Sequence, residues 1–213
     1  MPGSSELAGH RCDGCWLKSR RFRINPDGGA ATLIRKEVIE IVLVTLRCTK
    51  KLLGRLRVPE PIAAVPPSTP VASTTALGDW YATLVFARPK RLVLCVSERS
   101  RLAVVMEAAP LTSLAARFRP ALREVLQALG VSEAAITREE AEMSSSCFGP
   151  TQSRSILGTM NEYVRMLEVL EDDPEAQTLL EKSLFLSRII CSPLQWRHPD
   201  EVTRELLEVP EAE

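Results

Sequence analysis

Apolar positions along the chain alternate between short continuous blocks and stripes of helical spacing, which predicts a mixture of strands and helices. Val38 to Cys48 is rich in Val, Ile, Leu and Thr and reads as a buried strand. Thr49 is placed to cap a short helix, Lys50 to Leu56, because its hydroxyl can accept from the free N–H groups of a first turn. Pro59, Pro61, Pro66, Pro67 and Pro70 then crowd residues 58–76, which predicts a loop or extended linker. Trp80 to Ala87, Arg91 to Val96 and Arg101 to Glu107 read as three strands. The short spacers Arg88-Pro89-Lys90 and Ser97 to Ser100 make them an antiparallel meander, which Pro110 ends.

The second half turns helical. Thr112 or Ser113 is placed to cap a helix carrying Leu114, Phe118, Leu122, Val125, Leu126 and Leu129, with Gly130 as its stop and Pro120 inside it. Ser132 to Glu142 predicts an acidic helix, and Met143 to Phe148 a further strand. From Ser153 to Glu171 the residues Ile156, Leu157, Met160, Val164, Leu167 and Leu170 form one stripe, with Tyr163 on its flank. Leu157 and Val164 are expected to face the sheet. Arg154, Asn161, Glu162, Arg165 and Glu168 lie off the stripe. Pro174 to Ile190 and Asp200 to Val209 predict two more helices. The expected fold is α+β: an antiparallel sheet of about four to five strands covered by a C-terminal set of helices. Residues 38–209 form its single domain, and the polar stretch 1–37 reads as a disordered, dispensable extension.

Composition narrows the function classes. Of 213 residues, 45% are apolar and 25% charged, as in ordinary globular proteins. Net charge is zero, yet residues 1–125 hold 20 Lys and Arg against 10 Asp and Glu, and residues 126–213 hold 7 against 17. Packing the two halves together would neutralise both. No segment approaches the ~18 apolar residues of a membrane span, and the first 30 residues carry no apolar leader core. The expected location is the cytoplasm, where six scattered cysteines serve as small hydrophobes rather than disulfides.

Candidate chemistry is sparse. Cys12-x2-Cys15 is half of a zinc site, but no second pair follows, so no metal and no other cofactor is expected. With two histidines, a nucleophile–base pair would have to use His198. Glu139, Glu140 and Glu142 could pair for acid–base work, but a charged helical run usually forms a solvated face. Arg47, Lys50, Lys51, Arg55 and Arg57 form a basic cluster able to meet phosphates, without stacking aromatics.

Four segments, Leu46-Arg47-Cys48-Thr49-Lys50-Lys51-Leu52-Leu53, Leu77-Gly78-Asp79-Trp80-Tyr81-Ala82-Thr83-Leu84, Ser153 to Glu162 (SRSILGTMNE) and Ser192 to Val202 (SPLQWRHPDEV), occur in a telling order and spacing. Together they resemble a bacterial family known only as a domain of unknown function, over roughly residues 42–209. The resemblance implies that residues 1–41 lie outside the domain, and it carries no activity. Ser97-Glu98-Arg99-Ser100 departs from an Asn-Glu-x-Thr-like turn, and the proline-rich segment is long. Within the four segments, Trp80, Arg154, Ser155, Asn161, Arg197 and His198 are polar or amphipathic residues that could converge on one groove. The alternative is that Arg154 and Asn161 only brace loops, and the balance favours bracing. The leading functional expectation is a non-catalytic binding or regulatory module with a protein partner. A nucleic-acid binder using Arg47, Lys50, Lys51 and Arg55, and an enzyme with an unrecognised Arg/Asn/His site, stand behind it.

Overall fold

The computed structural model describes residues 43–56, 73–86, 91–143, 145–171 and 178–208. All of them belong to the unit Val42–Glu213, one of two into which contacts divide the chain. The expectations for residues 1–37, and for Pro59 to Pro70, lie outside the described residues.

Leu43–Cys48 forms strand β1 and Lys50–Leu56 helix α1. Thr49 starts the helix differently from expectation. Its carbonyl accepts from Leu52 and Leu53 N–H, while its hydroxyl pairs with that of Thr83 at 3.2 Å. Trp80–Phe86, Arg91–Ser97 and Ala103–Glu107 are β2, β3 and β4, paired antiparallel as a meander. A 3-10 turn, Leu111–Ser113, leads into α2, Leu114–Ala128, which runs unbroken through Pro120. Ser113 caps neither element by its side chain. Instead its hydroxyl donates to the Pro110 carbonyl and accepts from Arg117 Nε. Gly130, at φ 77°, turns the chain toward α3, Glu133–Glu142, which the Ser132 hydroxyl caps at Ala135 N–H. Then come β5 (Ser145–Pro150), α4 (Arg154–Glu171), α5 (Leu179–Ser187) and α6 (Pro199–Glu208).

The sheet order is β4-β3-β2-β1-β5. The expectation of an antiparallel sheet is corrected: the sheet is mixed, because β1 pairs parallel with both β2 and β5. The cause is connection length. A parallel neighbour needs a crossover of a dozen or more residues. The chain supplies one through α1 and residues 57–79, and another through α2 and α3 before β5. The fold is nonetheless α+β, since the meander remains its larger part.

Both faces of the sheet are covered. Val44, Leu46, Trp80, Leu84, Val93 and Met106 pack with Leu52 of α1, with α2 and α3, and with Leu207 of α6. Tyr81, Val85, Leu92, Leu94 and Val105 pack under α4 and Leu186 of α5. This is why Leu92 to Ser97 is buried at every position instead of alternating. At the sheet's edge, the Val105 N–H donates 2.9 Å to the Ser183 hydroxyl of α5, so an otherwise open strand is partly closed by a helix.

The α4 stripe is rotated from the expected one. Ile156, Met160, Tyr163 and Leu167 are its buried centre, while Leu157 and Val164 are partly buried at the margin. Tyr163 is 1% exposed and its hydroxyl donates to the Arg101 carbonyl, so an amphipathic residue fills the core position. Leu167→Ala should therefore cost about 2–5 kcal/mol in a urea melt, and Leu157→Ala distinctly less. Glu168→Ala, on the solvent side, should stay within about 0.5 kcal/mol. Equal losses for Leu157 and Leu167 would contradict this packing.

Candidate functional site

Trp80 opens β2 as expected but belongs to the core. It is fully buried and meets Phe118 edge-on, with ring centroids 4.9 Å apart and planes at 69°. Its Nε1 is buried without a hydrogen-bond partner. Arg154 and Asn161 are exposed on α4, and their side chains make no hydrogen bond or ion pair with another described residue. Ser155 accepts weakly, at 3.4 Å, from Arg101 Nη2. The six residues therefore do not line one groove.

Arg197 and His198 frame a tight turn after α5. The Cys191 N–H donates to the Arg197 carbonyl at 3.0 Å, closing an isolated bridge between the two residues. Inside it a 3-10 turn, Ser192–Leu194, is followed by Gln195 at φ 57° and Trp196 at φ 63°. Arg197 pairs with Glu205 of α6. His198 Nδ1 lies 2.7 Å from the Arg188 carbonyl, which can only accept, so Nδ1 carries the proton. The turn also rests on α4, where the Thr159 hydroxyl lies 3.9 Å from Cys191 Sγ. At its tip Trp196 is 74% exposed, with Ile190 also exposed beside the bridge. Trp196 is absent from the residues singled out by sequence. The available signal was its bracket, Ser192-Pro193 before it and His198-Pro199 after it, which marks a turn.

The basic cluster is dispersed. Arg47 is committed to Asp79, with Nε at 2.8 Å and Nη2 at 2.7 Å from Oδ2. Lys51 Nζ sits 3.7 Å over the centre of the Phe86 ring, an aromatic partner that the sequence reading missed because it lies in another element. Lys50 and Arg55 are exposed, and Arg57 lies outside the described residues.

The acidic run on α3 is not a solvated face. Glu139 is 2% exposed and accepts from the Ala76 N–H at 2.8 Å and the Leu77 N–H at 3.2 Å. Burial holds its pKa above the ordinary carboxylate value, against the opposing pull of those two N–H groups. Glu140 receives Arg123, at 3.0 Å from Nε and 2.5 Å from Nη2. Burial also raises the thiols of Cys48 (to about 12), Cys95 and Cys191, which keeps them protonated and weak as nucleophiles. Among the described residues no three of His, Cys, Asp and Glu gather as a metal site would require. Cys12 and Cys15 lie outside the described residues. No described helix is long and apolar enough to cross a membrane.

A family model, Domain of unknown function (DUF6933), matches residues 45–202. Neither the curated proteins nor the solved structures contain a match.

Glu139 generates a prediction with a definite sign. Its folded pKa is raised above the unfolded value, so folding takes up a proton between the two. Its contribution to stability is then greatest below the ordinary carboxylate pKa, about 4.3, and declines as pH rises through the folded value. Glu139→Gln cannot titrate, so wild type minus variant stability should fall with rising pH across this acidic window. At pH 7, Glu139→Ala abandons the buried Leu77 N–H and the half-buried Ala76 N–H and should cost about 1–3 kcal/mol. Urea melts at several pH values give both quantities. A pH-independent difference would remove the assigned shift.

Proposed function

The chain belongs to the DUF6933 family, a domain of unknown function, and from that premise we propose that it is a non-catalytic binding module whose Trp196 turn docks a protein partner. One observation carries this reading: a large aromatic side chain stands in solvent on a backbone that resists it. Two consecutive non-glycine residues, Gln195 and Trp196, hold positive φ. Each such residue costs about 1–3 kcal/mol, and the turn keeps them only because the Cys191–Arg197 bridge and its flanking contacts over-determine it. The result is an exposed indole carried on a constrained backbone turn, and tryptophan is among the side chains most enriched where protein interfaces draw their binding energy. Pre-organisation lowers the ordering cost of binding.

The protonated thiols and the engaged His198 Nδ1 support the non-catalytic part of the reading. A nucleic-acid role for Arg47, Lys50, Lys51 and Arg55 is less favoured, since Arg47 and Lys51 already have partners within the domain. We place the protein in the cytoplasm of a bacterial cell, consistent with the reading of its sequence.

The test uses the full chain with a photo-activatable phenylalanine analogue at Gln195 and, for comparison, at Thr137, exposed on α3. Cross-linking in the cell should give a discrete protein adduct from position 195 and none from 137. Trp196→Gly, which suits the positive φ, should abolish the adduct while the urea melt shows no loss of stability. An adduct that survives this substitution, or none at position 195, would sink the proposal. Retention on single-stranded oligonucleotide that Trp196→Gly removes would replace it with the nucleic-acid reading.

A further inference from the structure

On the opposite face of the sheet from α4, the C-terminal end of α1 and the segment leaving β4 flank a cleft. Its volume is about 480 Å³, within the 300–1,000 Å³ typical of small-molecule sites. Its floor is apolar: Leu84 of β2 and Ala108 are buried there, and Leu111 closes one side. Its rim is charged. Arg55 comes from α1 and Arg91 from the start of β3, against a single described carboxylate, Glu107 at the end of β4.

Neither guanidinium has a carboxylate partner among the described residues. Among the described residues, the Arg91 guanidinium lies over the Phe86 ring, with Cζ 5.8 Å from its centroid, and Lys51 lies on that ring at 3.7 Å. Phe86 thus gathers two cations at the cleft's edge without neutralising either. The wall is fixed in advance. Arg117 Nη1 donates to the Glu107 carbonyl at 2.9 Å and Nη2 to the Pro110 carbonyl at 2.8 Å. The Ala108 N–H donates to the Arg91 carbonyl at 2.8 Å, which ties that wall to the strand bearing the cation.

An apolar floor under two guanidiniums that no described carboxylate neutralises selects for an amphipathic anion. A bare inorganic anion would leave the floor wet, and a neutral hydrophobe would leave both arginines unused. Guanidinium geometry matches a carboxylate or phosphate edge, and Arg holds such groups more selectively than a point charge does. We infer that this cleft binds a small organic anion, a carboxylate or phosphate head on an apolar body, with Arg55 and Arg91 on the head and Leu84, Ala108 and Leu111 around the body. The site is separate from the Trp196 turn and does not depend on it.

Isothermal titration of the full chain with octyl phosphate, below its micelle concentration, tests the assignment. One site is expected, and inorganic phosphate and octanol should each bind at least tenfold more weakly. Arg55→Gln and Arg91→Gln should each weaken octyl phosphate roughly tenfold without moving the urea melt, since both side chains are exposed. Lys50→Gln, exposed on α1 but not lining the cleft, should leave the affinity unchanged. Ala109→Trp, placed on the exposed rim, should block binding by filling the cleft. The inference is overturned if octyl phosphate fails to bind, if octyltrimethylammonium binds equally well, or if the two arginine variants bind like wild type in chains that melt normally.

Discussion

Three carboxylates fix the point at which the chain enters β2, and the rest of the sheet is arranged around it. Asp79 is buried and takes the Thr45 N–H and the Arg47 guanidinium, which sets β1 beside β2. Glu98 accepts from the Asp79 N–H, and the Glu98 N–H returns to the Asp79 carbonyl, which sets β3 on the other side. Glu139 reaches from α3 to the N–H groups of Ala76 and Leu77. Removing an ion from water costs several kcal/mol unless its partners are complete. Asp79 and Glu139 are buried, so each tolerates only the arrangement that supplies its donors, while Glu98 is half-buried. Gly78 is part of the same constraint. It holds φ 77°, and a Cβ there would sit 3.1 Å from Glu98 Cβ and Arg99 Cγ.

The local pattern of the chain shows most of these elements. Period and punctuation place β2, β3 and β4, the α1 span and the spacing of α4, because each depends on residues near one another in sequence. Pairing direction is less visible. A block such as Leu43–Cys48 reads the same in a parallel or an antiparallel neighbour, and only connection length separates them. Glu139 is hidden for a similar reason. Its donors, Ala76 and Leu77, lie more than sixty residues away, so helical position alone makes it look like its solvated neighbours. Tyr163, read as flanking the stripe, is central because its hydroxyl finds the Arg101 carbonyl, an acceptor equally remote in sequence.

The polar residues of the four family-like segments divide by what they touch. Arg47, Thr49, Asp79 and Thr83 spend their polar groups on one another or on the backbone and hold β1 to β2. Arg197 and His198 hold the turn that carries Trp196. Among the described residues, the side chains of Arg154, Asn161 and Trp196 have no such partner. A short sequence motif thus mixes residues that build a surface with residues that form it. Side-chain type does not sort them: Arg47 and Arg154 are the same residue, one locked against a buried carboxylate and the other exposed on α4 with no ion pair to a described residue.

Positive φ sorts them better. Where the fold needs only a left-handed backbone, it uses glycine, as at Gly78 and Gly130. Among the described residues, three others hold positive φ with a side chain in place: Arg101, Gln195 and Trp196. Arg101 has an internal use for its side chain, since Nη1 donates to the Glu98 carbonyl and Nη2 reaches Ser155. Trp196 has none, because most of its surface faces solvent. Glycine at that position would relieve strain and remove an exposed apolar ring, so stability and solubility both argue against tryptophan. Trp196 is thus opposed on both counts, and that is the ground on which the 191–197 turn, rather than the polar face of α4, is proposed as the docking surface.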